Sequence, residues 1–419
     1  MSTAIYRGNA IVLQGTPPQL RDLSLYFLRL GALGFGGPVG LAHAMRRDLV
    51  DGRNWITEPE YDRGLAIAAA CPGPLAYQLG VYVGFLRKGV AGAVAVAIAF
   101  ALPPFALVVL AASLYVRFAS SWPLRALFYG VGPVVVALIV KACWGIGRRT
   151  LRRDFSAWAL CLAALAITAI SERELVAIFP AAGLAGLFLF GKRADAGPPA
   201  PKAASSPDGS RRPAAIAGPL AIAAGAAAAT SGGAAAAPGA SALFTFFFKT
   251  GCLVFGSGLV IVPFLKAYVV DQYHWLGGRE FLDAVAIGMI SPGPVVISAT
   301  FVGFLVDGYP GALAATAGIF TPAVLFTVIA TPLLLRYADH PRVRGFLRGV
   351  TVAVVGVLAG TTWLVARTAV GDLFTALLAA ASLGALLVWK RIPEPVFVAL
   401  GAAAGLAAYP LLRPEWMLR

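Results

Sequence analysis

The 419-residue chain contains few charged residues. Asp, Glu, Lys and Arg make up 13% of it, whereas hydrophobic residues make up 59%. A soluble domain usually carries about twice that share of charge, so the composition excludes an ordinary cytosolic enzyme and a disordered chain. The four cysteines and three histidines are widely separated, so neither a disulfide framework nor a metal site is expected. A polytopic membrane protein remains.

Acidic residues are scarcer than basic ones. The chain has 34 Lys and Arg against 19 Asp and Glu, which gives a net charge of +15. The basic residues lie mainly in short breaks between apolar runs, as is typical of loops on the cytoplasmic side of a membrane. No basic, aromatic-rich surface segment suggests a nucleic-acid partner. No nucleotide-binding motif is present, so neither a cofactor nor ATP-driven pumping is indicated.

The apolar segments form two sets of about six helical segments each, since a crossing helix needs about 20 apolar residues. A basic, Pro- and Ala-rich linker separates the sets, and its Ala- and Gly-rich part at 215–237 is a possible extra crossing. The predicted divisions are a cytoplasmic N-terminal segment at 1–24, an N-terminal transporter repeat at 25–191, the linker at 192–241, a C-terminal transporter repeat at 242–412 and a C-terminal tail at 413–419.

The two sets are copies of one another. Shifting the chain by 220 residues aligns Gly31 with Gly251 and Pro72-Gly73-Pro74 with Pro292-Gly293-Pro294. After a one-residue deletion, Val83-Gly84-Phe85 aligns with Val302-Gly303-Phe304. Matches of this density at a nearly constant spacing indicate an internal duplication.

The basic clusters occupy different loops in the two halves. The cluster from Arg148 to Arg153 marks a cytoplasmic loop of the first half, whereas the cluster from Arg336 to Arg348 fills a loop that is external there. Because loops rich in Lys and Arg stay inside, the second half is predicted to insert upside down, as in many transporters. The N-terminus is then cytoplasmic. The predicted fold is an all-α polytopic membrane protein with two inverted-topology repeats.

Two Gly- and Pro-rich motifs recur at mid-span in both halves and predict broken or re-entrant helices there. A helix that restarts after such a break presents unpaired amides and about +0.5 of charge to an anion. The alternative is simple kinking, which membrane helices tolerate. Their occurrence at equivalent places favours a binding site. The candidate substrate-binding residues in these motifs are Gly36, Gly37, Pro38, Pro72, Gly73, Pro74, Gly256, Ser257, Gly258, Pro292, Gly293 and Pro294.

Two cations precede the first motif at the same repeat position. Arg29 and Lys249 each lie seven residues, or about 10 Å, before a glycine of the break. A cation inside the membrane is a candidate for substrate binding. Each can instead guard the approach of an anion, and snorkelling to the nearer membrane surface is the alternative with no role in transport.

Further polar residues flank the second motif. Glu60 and Glu280 open the segments that lead to it, and we expect them to cap helix N-termini; a role in proton coupling is the alternative. Other side chains near the breaks can form hydrogen bonds with a substrate, although each is also an ordinary packing residue in membrane helices. These are Tyr77, Gln78, Ser257, Ser298 and Thr300.

Taken together, the motifs resemble those of the chromate ion transporter family. They are Phe-Gly-Gly-Pro in the first segment, a Trp and a Glu that lead into Pro-Gly-Pro, and then Val-Gly-Phe, and they occur in both halves. The second half departs from the pattern because it has Phe-Gly-Ser-Gly in place of Phe-Gly-Gly-Pro. The two half-sites are therefore not equivalent.

The resemblance implies a bacterial inner-membrane secondary transporter that exports chromate, a tetrahedral oxyanion, and so confers chromate resistance. It also implies sulfate as a related anion, and a homodimer is possible. Export fits a membrane that is negative inside and can proceed by uniport or by exchange. A transporter of sulfate or another small anion is the main alternative. An integral membrane enzyme or scaffold is the alternative of a different class, but the acid, base and metal-ligand clusters that an enzyme needs are not visible in the sequence.

Overall fold

The structure is a computed structural model that describes residues 18–34, 37–118, 121–151, 154–170, 175–190, 238–256, 258–337, 341–389, 392 and 394–412. The possible crossing at 215–237 and the tail at 413–419 lie outside these residues, as do most of the predicted N-terminal segment and of the linker. The candidate residues Gly36 and Ser257 also lie outside them.

The described part of the first half contains seven helices. They are α1 (Leu20–Leu33), α2 (Gly37–Met45), α3 (Glu58–Ala70), α4 (Leu75–Phe118), α5 (Trp122–Thr150), α6 (Phe155–Ile170) and α7 (Leu175–Leu189). A π-helical segment, Arg46–Gly52, extends α2, and a two-residue strand, β1 (Gly73–Pro74), separates α3 from α4.

The second half repeats this order. Its helices are α8 (Ala240–Gly251), α9 (Ile261–Phe264), α10 (Gly278–Ile290), α11 (Ser298–Tyr337), α12 (Pro341–Ala369), α13 (Leu373–Val388) and α14 (Glu394–Leu412). Short 3-10 turns, Gly258–Val260 and Val295–Ile297, lead into α9 and α11. A π-helical segment, Leu265–Gln272, extends α9, and the strand β2 (Phe255–Gly256) follows α8.

Among the described residues, four helices are long and apolar enough to cross a membrane. They are Leu75–Phe118, Trp122–Arg148, Val295–Ile329 and Arg344–Arg367. Inside a bilayer a helix satisfies its own backbone hydrogen bonds, which is why such long apolar sequences fold in this way. The predicted fold class, an all-α polytopic membrane protein, is confirmed.

The long helices α4 and α11 each consist of two arms that run in opposite directions. In α4 the chain reverses at Lys88 and Gly89, and in α11 it reverses at the equivalent Gly308. The φ angles are 58° at Gly89 and 56° at Gly308. Such φ values favour glycine, which has no Cβ to clash. Gly84 and Gly92 lie on the two arms of α4, one before and one after the reversal. Their backbones are in contact, since a Cβ built on Gly84 would lie 2.4 Å from the Gly92 carbonyl oxygen.

Helix α3 returns along the first arm of α4. A Cβ built on Gly64 would lie 2.4 Å from the ring of Tyr82, so the two helices are in close contact well away from the break that joins them. The apolar segment at 63–86 is therefore a helical hairpin with Pro72-Gly73-Pro74 at its tip. The described residues of the apolar segment at 25–45 also double back, because the Tyr26 hydroxyl on α1 donates to Asp48 on the segment after α2 over 3.3 Å.

The two halves interlock. Helices α6 and α7 pack on α12 of the other half, and α13 and α14 pack on α5. These crossings are close because small residues face each other: a Cβ built on Gly130 would lie 2.0 Å from the Gly401 carbonyl oxygen. The second arms of α4 and α11 also contact each other. Ser113, near the end of the α4 arm, lies beside Tyr309, at the start of the α11 arm, with 3.5 Å between Ser113 Oγ and Tyr309 Oη. These equivalent arms therefore run antiparallel.

An ion pair joins the two ends of the first-half hairpin. The Arg87 guanidinium donates to a Glu60 carboxylate oxygen at 2.5 Å and to the Trp55 carbonyl at 2.6 Å, and the Arg87 side chain is only 8% exposed. The equivalent residue of the second half is Val306. There Glu280 lines a cavity instead, so water can solvate its carboxylate without an arginine.

We expect Arg87→Met to destabilise the protein by about 3 kcal/mol, because it leaves a partly buried carboxylate without its cation. Adding Glu60→Gln removes the unpaired charge and should restore part of the loss. The apparent melting temperature of the detergent-purified protein measures both effects. Equal melting temperatures for the single and double variants would show that the charge of Glu60 needs no partner.

Gly84→Ala should destabilise the protein by about 1–3 kcal/mol, because the added methyl group meets the Gly92 backbone and forces the arms of α4 apart. Gly145→Ala is the matched control, since no heavy atom lies within 4 Å of a Cβ built there. Thermal unfolding of both variants compares the two sites. The proposed close contact is refuted if Gly84→Ala melts at the same temperature as Gly145→Ala.

Candidate functional site

The tip of each hairpin is bound by the break of the other half. The Gly73 amide donates to the Val254 carbonyl, and the Gly293 amide donates to the Gly34 carbonyl at 3.0 Å. These two hydrogen bonds are equivalent under the 220-residue shift. Strands β1 and β2 pair in parallel in the same place, with Gly73 opposite Phe255. All four breaks therefore meet at the interface between the halves.

Both tip glycines are required by the backbone. Gly73 has a φ of 136° and Gly293 a φ of 90°, which other residues rarely adopt. The space around them is also filled across the interface. A Cβ on Gly73 would lie 2.7 Å from the Cβ of Ala323, and one on Gly293 would lie 3.3 Å from Cγ of Pro104. Pro104 and Ala323 are themselves equivalent positions, so the contact is reciprocal.

The amides of Gly73 and Gly293 are not available to an anion, because carbonyl groups already accept from them. The donors that remain lie at the starts of the following helices. The described residues provide no acceptor for the amides of Val295 and Val296, which open the turn before α11. A Cβ built on Gly258 would lie 3.3 Å from both of these nitrogen atoms. The absence of a side chain at Gly258 therefore leaves room in front of two helix-start donors.

One segment of the second half contacts the starts of both helices, α4 and the turn before α11. Gly256 is paired with Pro74, immediately before α4, and Gly258 faces the start of the turn before α11. The segment from 256 to 258 spans at most about 7 Å. The two helix N-termini that the Pro-Gly-Pro motifs create are thus on either side of the same short segment. Of the first motif, Gly37 and Pro38 begin α2.

The two candidate cations lie in different environments. Arg29 is on the exposed face of α1, away from the buried residues Phe27 and Leu30. Lys249 is half-buried near the end of α8 and already interacts with another residue. Neither has a described contact with a Pro-Gly-Pro tip, so their part in substrate binding stays a prediction.

Glu60 and Glu280 cap the first turns of α3 and α10. Glu60 accepts hydrogen bonds from the Thr57 amide at 2.8 Å and from its hydroxyl at 3.0 Å, and Glu280 accepts from the Gly277 amide at 2.8 Å. Both lie at the ends of the hairpins that are far from the tips. Capping of the helix N-termini therefore explains the presence of Glu60 and Glu280 without a role in proton coupling.

Two side chains near the tips carry a buried polar atom without a hydrogen-bond partner among the described residues. They are Gln78, at Oε1, and Ser298, at Oγ, and both are fully buried. Each lies four residues after the second proline of its motif. By contrast, Tyr77 donates to the Ala97 carbonyl at 3.3 Å, and Thr300 bonds to Thr316 at 2.6 Å. Unpaired buried polar atoms are uncommon and often mark a missing water or ligand.

A cavity of about 400 Å³ lies between the halves near the starts of α5 and α10. Its polar lining was not predicted from the sequence. The Tyr115 hydroxyl donates to Asp283 at 2.8 Å and the Tyr129 hydroxyl to Asp372 at 2.6 Å. The residues that contribute charge to the lining are Arg125, Arg279, Glu280, Asp283 and Asp372. Their pairing depends on contacts between distant parts of the chain, which periodicity alone does not reveal.

The equivalent place in the first half contains an ion pair. Arg348 takes the position of Tyr129 and donates to Asp154 at 2.9 Å, and its guanidinium lies 4.4 Å from the ring centroid of Phe190. Phe190 is in turn the equivalent of Tyr409, another cavity residue. A comparable contact of three side chains is thus built once around Tyr129 and once around a half-buried cation, Arg348.

The described residues bring no three His, Cys, Asp or Glu side chains together in a way that would hold a metal ion. The four cysteines are free thiols. The polar groups of the site are backbone amides, a carboxamide and hydroxyl groups, which bind by hydrogen bonding and do not form a nucleophile or an acid–base pair.

Known proteins similar to this chain are transporters. The family model for chromate transporters matches residues 21–187 and 241–406, once in each half. A chromate transport protein of Cupriavidus metallidurans is 42% identical over 94% of both chains. A probable chromate transport protein of Synechococcus elongatus is 39% identical over 92% of this chain and 95% of its own.

A chromate transport protein of Pseudomonas aeruginosa is 33% identical over 94% of both chains. No solved structure matches the chain. The matches cover nearly the whole chain, and the helices form a multi-pass membrane protein, which makes it a transporter and not an enzyme. The chain belongs to the chromate transporter family.

Proposed function

We propose that the protein exports chromate across the bacterial inner membrane and so confers resistance to it. The observation that carries the proposal is the meeting of two helix starts at the interface between the halves. A doubly charged oxyanion leaves water only where donors and positive charge replace its hydration. Two helix N-termini contribute about +0.5 each, and the amides of Val295 and Val296 supply directed hydrogen bonds.

The direction follows from the membrane potential. Moving two negative charges out of a cell that is negative inside releases about 4.6 kcal/mol per 100 mV. This corresponds to about 3.4 powers of ten in concentration ratio. Export therefore needs no ATP, in agreement with a chain that carries no nucleotide-binding motif.

The antiparallel packing of α4 and α11 supports halves that insert in opposite orientations. Transporters of this type expose a central site alternately to the two sides. We infer that the 400 Å³ cavity is the open approach in this conformation, with Arg125 and Arg279 at its wall. The Arg348–Asp154 ion pair then closes the equivalent approach of the first half. The homodimer stays a prediction.

Inverted membrane vesicles that contain the protein should take up chromate, and an interior-positive potential should increase the rate. Vesicles without the protein are the control, and sulfate is added as a competitor. Chromate uptake that ignores the potential would contradict export driven by charge. If the vesicles transport sulfate but not chromate, the substrate is sulfate and the proposal for chromate is wrong.

Gly258→Val should reduce chromate transport about tenfold or more, because the side chain covers two amide donors whose hydrogen bonds are each worth about 1 kcal/mol. Gly384→Val is the matched control, since a Cβ at that position meets no atom within 4 Å. Initial rates are compared at equal amounts of folded protein in the vesicles. Normal transport by Gly258→Val would remove these amides from the site.

A further inference from the structure

The side chain of Gln78 folds back over the tip of its own hairpin. Its Nε2 donates to the Pro72 carbonyl at 2.5 Å. A Cβ built on Gly73 would lie 2.8 Å from both Cδ and Nε2 of this carboxamide. The side chain is fully buried. The carboxamide is therefore held against the Pro-Gly-Pro tip, at the start of α4.

The orientation of the carboxamide is fixed by its partner. Exchanging its nitrogen and oxygen would place two acceptors, Oε1 and the Pro72 carbonyl, against each other. The oxygen consequently points away from Pro72, and the described residues offer it no donor. The described residues provide no acceptor for the amides of Ala76 and Tyr77 in the first turn of α4. The start of α4 thus combines amides, which only donate, with the buried oxygen of Gln78, which only accepts.

A fully deprotonated oxyanion does not match this arrangement. All its oxygen atoms are acceptors, so they pair with amides but are repelled by Gln78 Oε1. A monoprotonated oxyanion does match, because its hydroxyl group donates to the carboxamide while its other oxygen atoms accept from the helix-start amides. The equivalent residue of the second half, Ser298, has a hydroxyl that both donates and accepts. It can therefore bind a protonated or an unprotonated oxygen of the substrate.

We propose that the site binds monoprotonated chromate, with the substrate hydroxyl donating to Gln78 Oε1. This inference rests on the proposed function. Chromate takes up its proton from water near neutral pH on the loading side and releases it to water on the other side. One proton then accompanies each anion, so one charge instead of two is desolvated, and the membrane potential contributes half of the driving force calculated above for the dianion. Sulfate accepts a proton only in strong acid, so Gln78 discriminates against it.

The protein contributes no titratable group at this tip that would change charge near neutral pH. Cys71 and Tyr77, which flank it, have side chains whose usual pKa lies above neutral. The tip contacts Val254, Phe255 and Ala323 on the other half, and none of these residues titrates. Glu60 and Arg87 pair with each other at the far end of the hairpin. Glu280 and Asp283 line the cavity and lie outside the tip, so the part of the pH dependence that reports the substrate at Gln78 is the part that Gln78→Met removes.

The test measures chromate transport in proteoliposomes from mildly acid to mildly alkaline pH. For the wild type, the KM expressed as total chromate should rise about tenfold per pH unit above the pKa of hydrogen chromate, because the binding-competent fraction falls by that factor. Gln78→Met keeps the length of the side chain but removes the acceptor. It should raise the KM at acid pH about tenfold, flatten the pH dependence and make sulfate a stronger competitor.

Ser298→Ala is the comparison variant and should keep the wild-type pH dependence, whatever its rate. Gln78→Leu also removes the acceptor without adding a titratable group and gives a second reading if Gln78→Met does not fold, as judged by size-exclusion chromatography; it too should flatten the dependence. A KM that is independent of pH in the wild type, or equal slopes in the wild type and Gln78→Met, would overturn the inference. A KM that does not depend on pH would indicate transport of the dianion. Equal slopes would indicate that a water molecule, and not the substrate, donates to Gln78. Absence of chromate transport in the wild type would instead refute the proposed function.

Discussion

The reciprocal pair of backbone hydrogen bonds across the two halves is the constraint on which the site depends. Gly73 donates to Val254 and Gly293 to Gly34, so each tip is anchored by the other half and not by its own. Broken backbone at membrane depth needs partners, since lipid provides none. These bonds satisfy the two tip amides and, at the same time, fix the starts of α4 and α11 beside a single segment. Neither half can form this arrangement alone.

The duplication supplies the symmetry, and substitutions at equivalent positions break it. Arg87 pairs with Glu60 in the first half, whereas Val306 leaves Glu280 to the water of the cavity. At another equivalent pair of positions, Tyr129 borders that cavity and donates to Asp372, whereas Arg348 forms an ion pair with Asp154. A protein that alternates between two faces needs both states to be close in energy. Different contacts at equivalent places are a means of setting that balance.

Much of this architecture could be predicted from the sequence because the repeat and the Pro-Gly-Pro motifs are local signals. The interruptions between α3 and α4 and between α10 and α11 coincide with those prolines. The motifs predicted broken or re-entrant helices and left open which of the two forms, because an apolar sequence of this length is also long enough for one crossing. The return of α3 along α4 matches the re-entrant form. The outward facing of Arg29 could have been predicted, because Asp22, two turns earlier, lies on the same exposed side of the amphipathic helix α1.

The helix starts are one source of positive charge that the described interface provides. Arg29 points away from the packed face of α1, and the contributions of Arg29 and Lys249 stay predictions. Two helix starts supply about +1, which balances one negative charge better than two. The charge of the helix starts therefore favours a monoanion over a dianion. The unpaired oxygen of Gln78 leads to the same conclusion from hydrogen bonding, independently of charge.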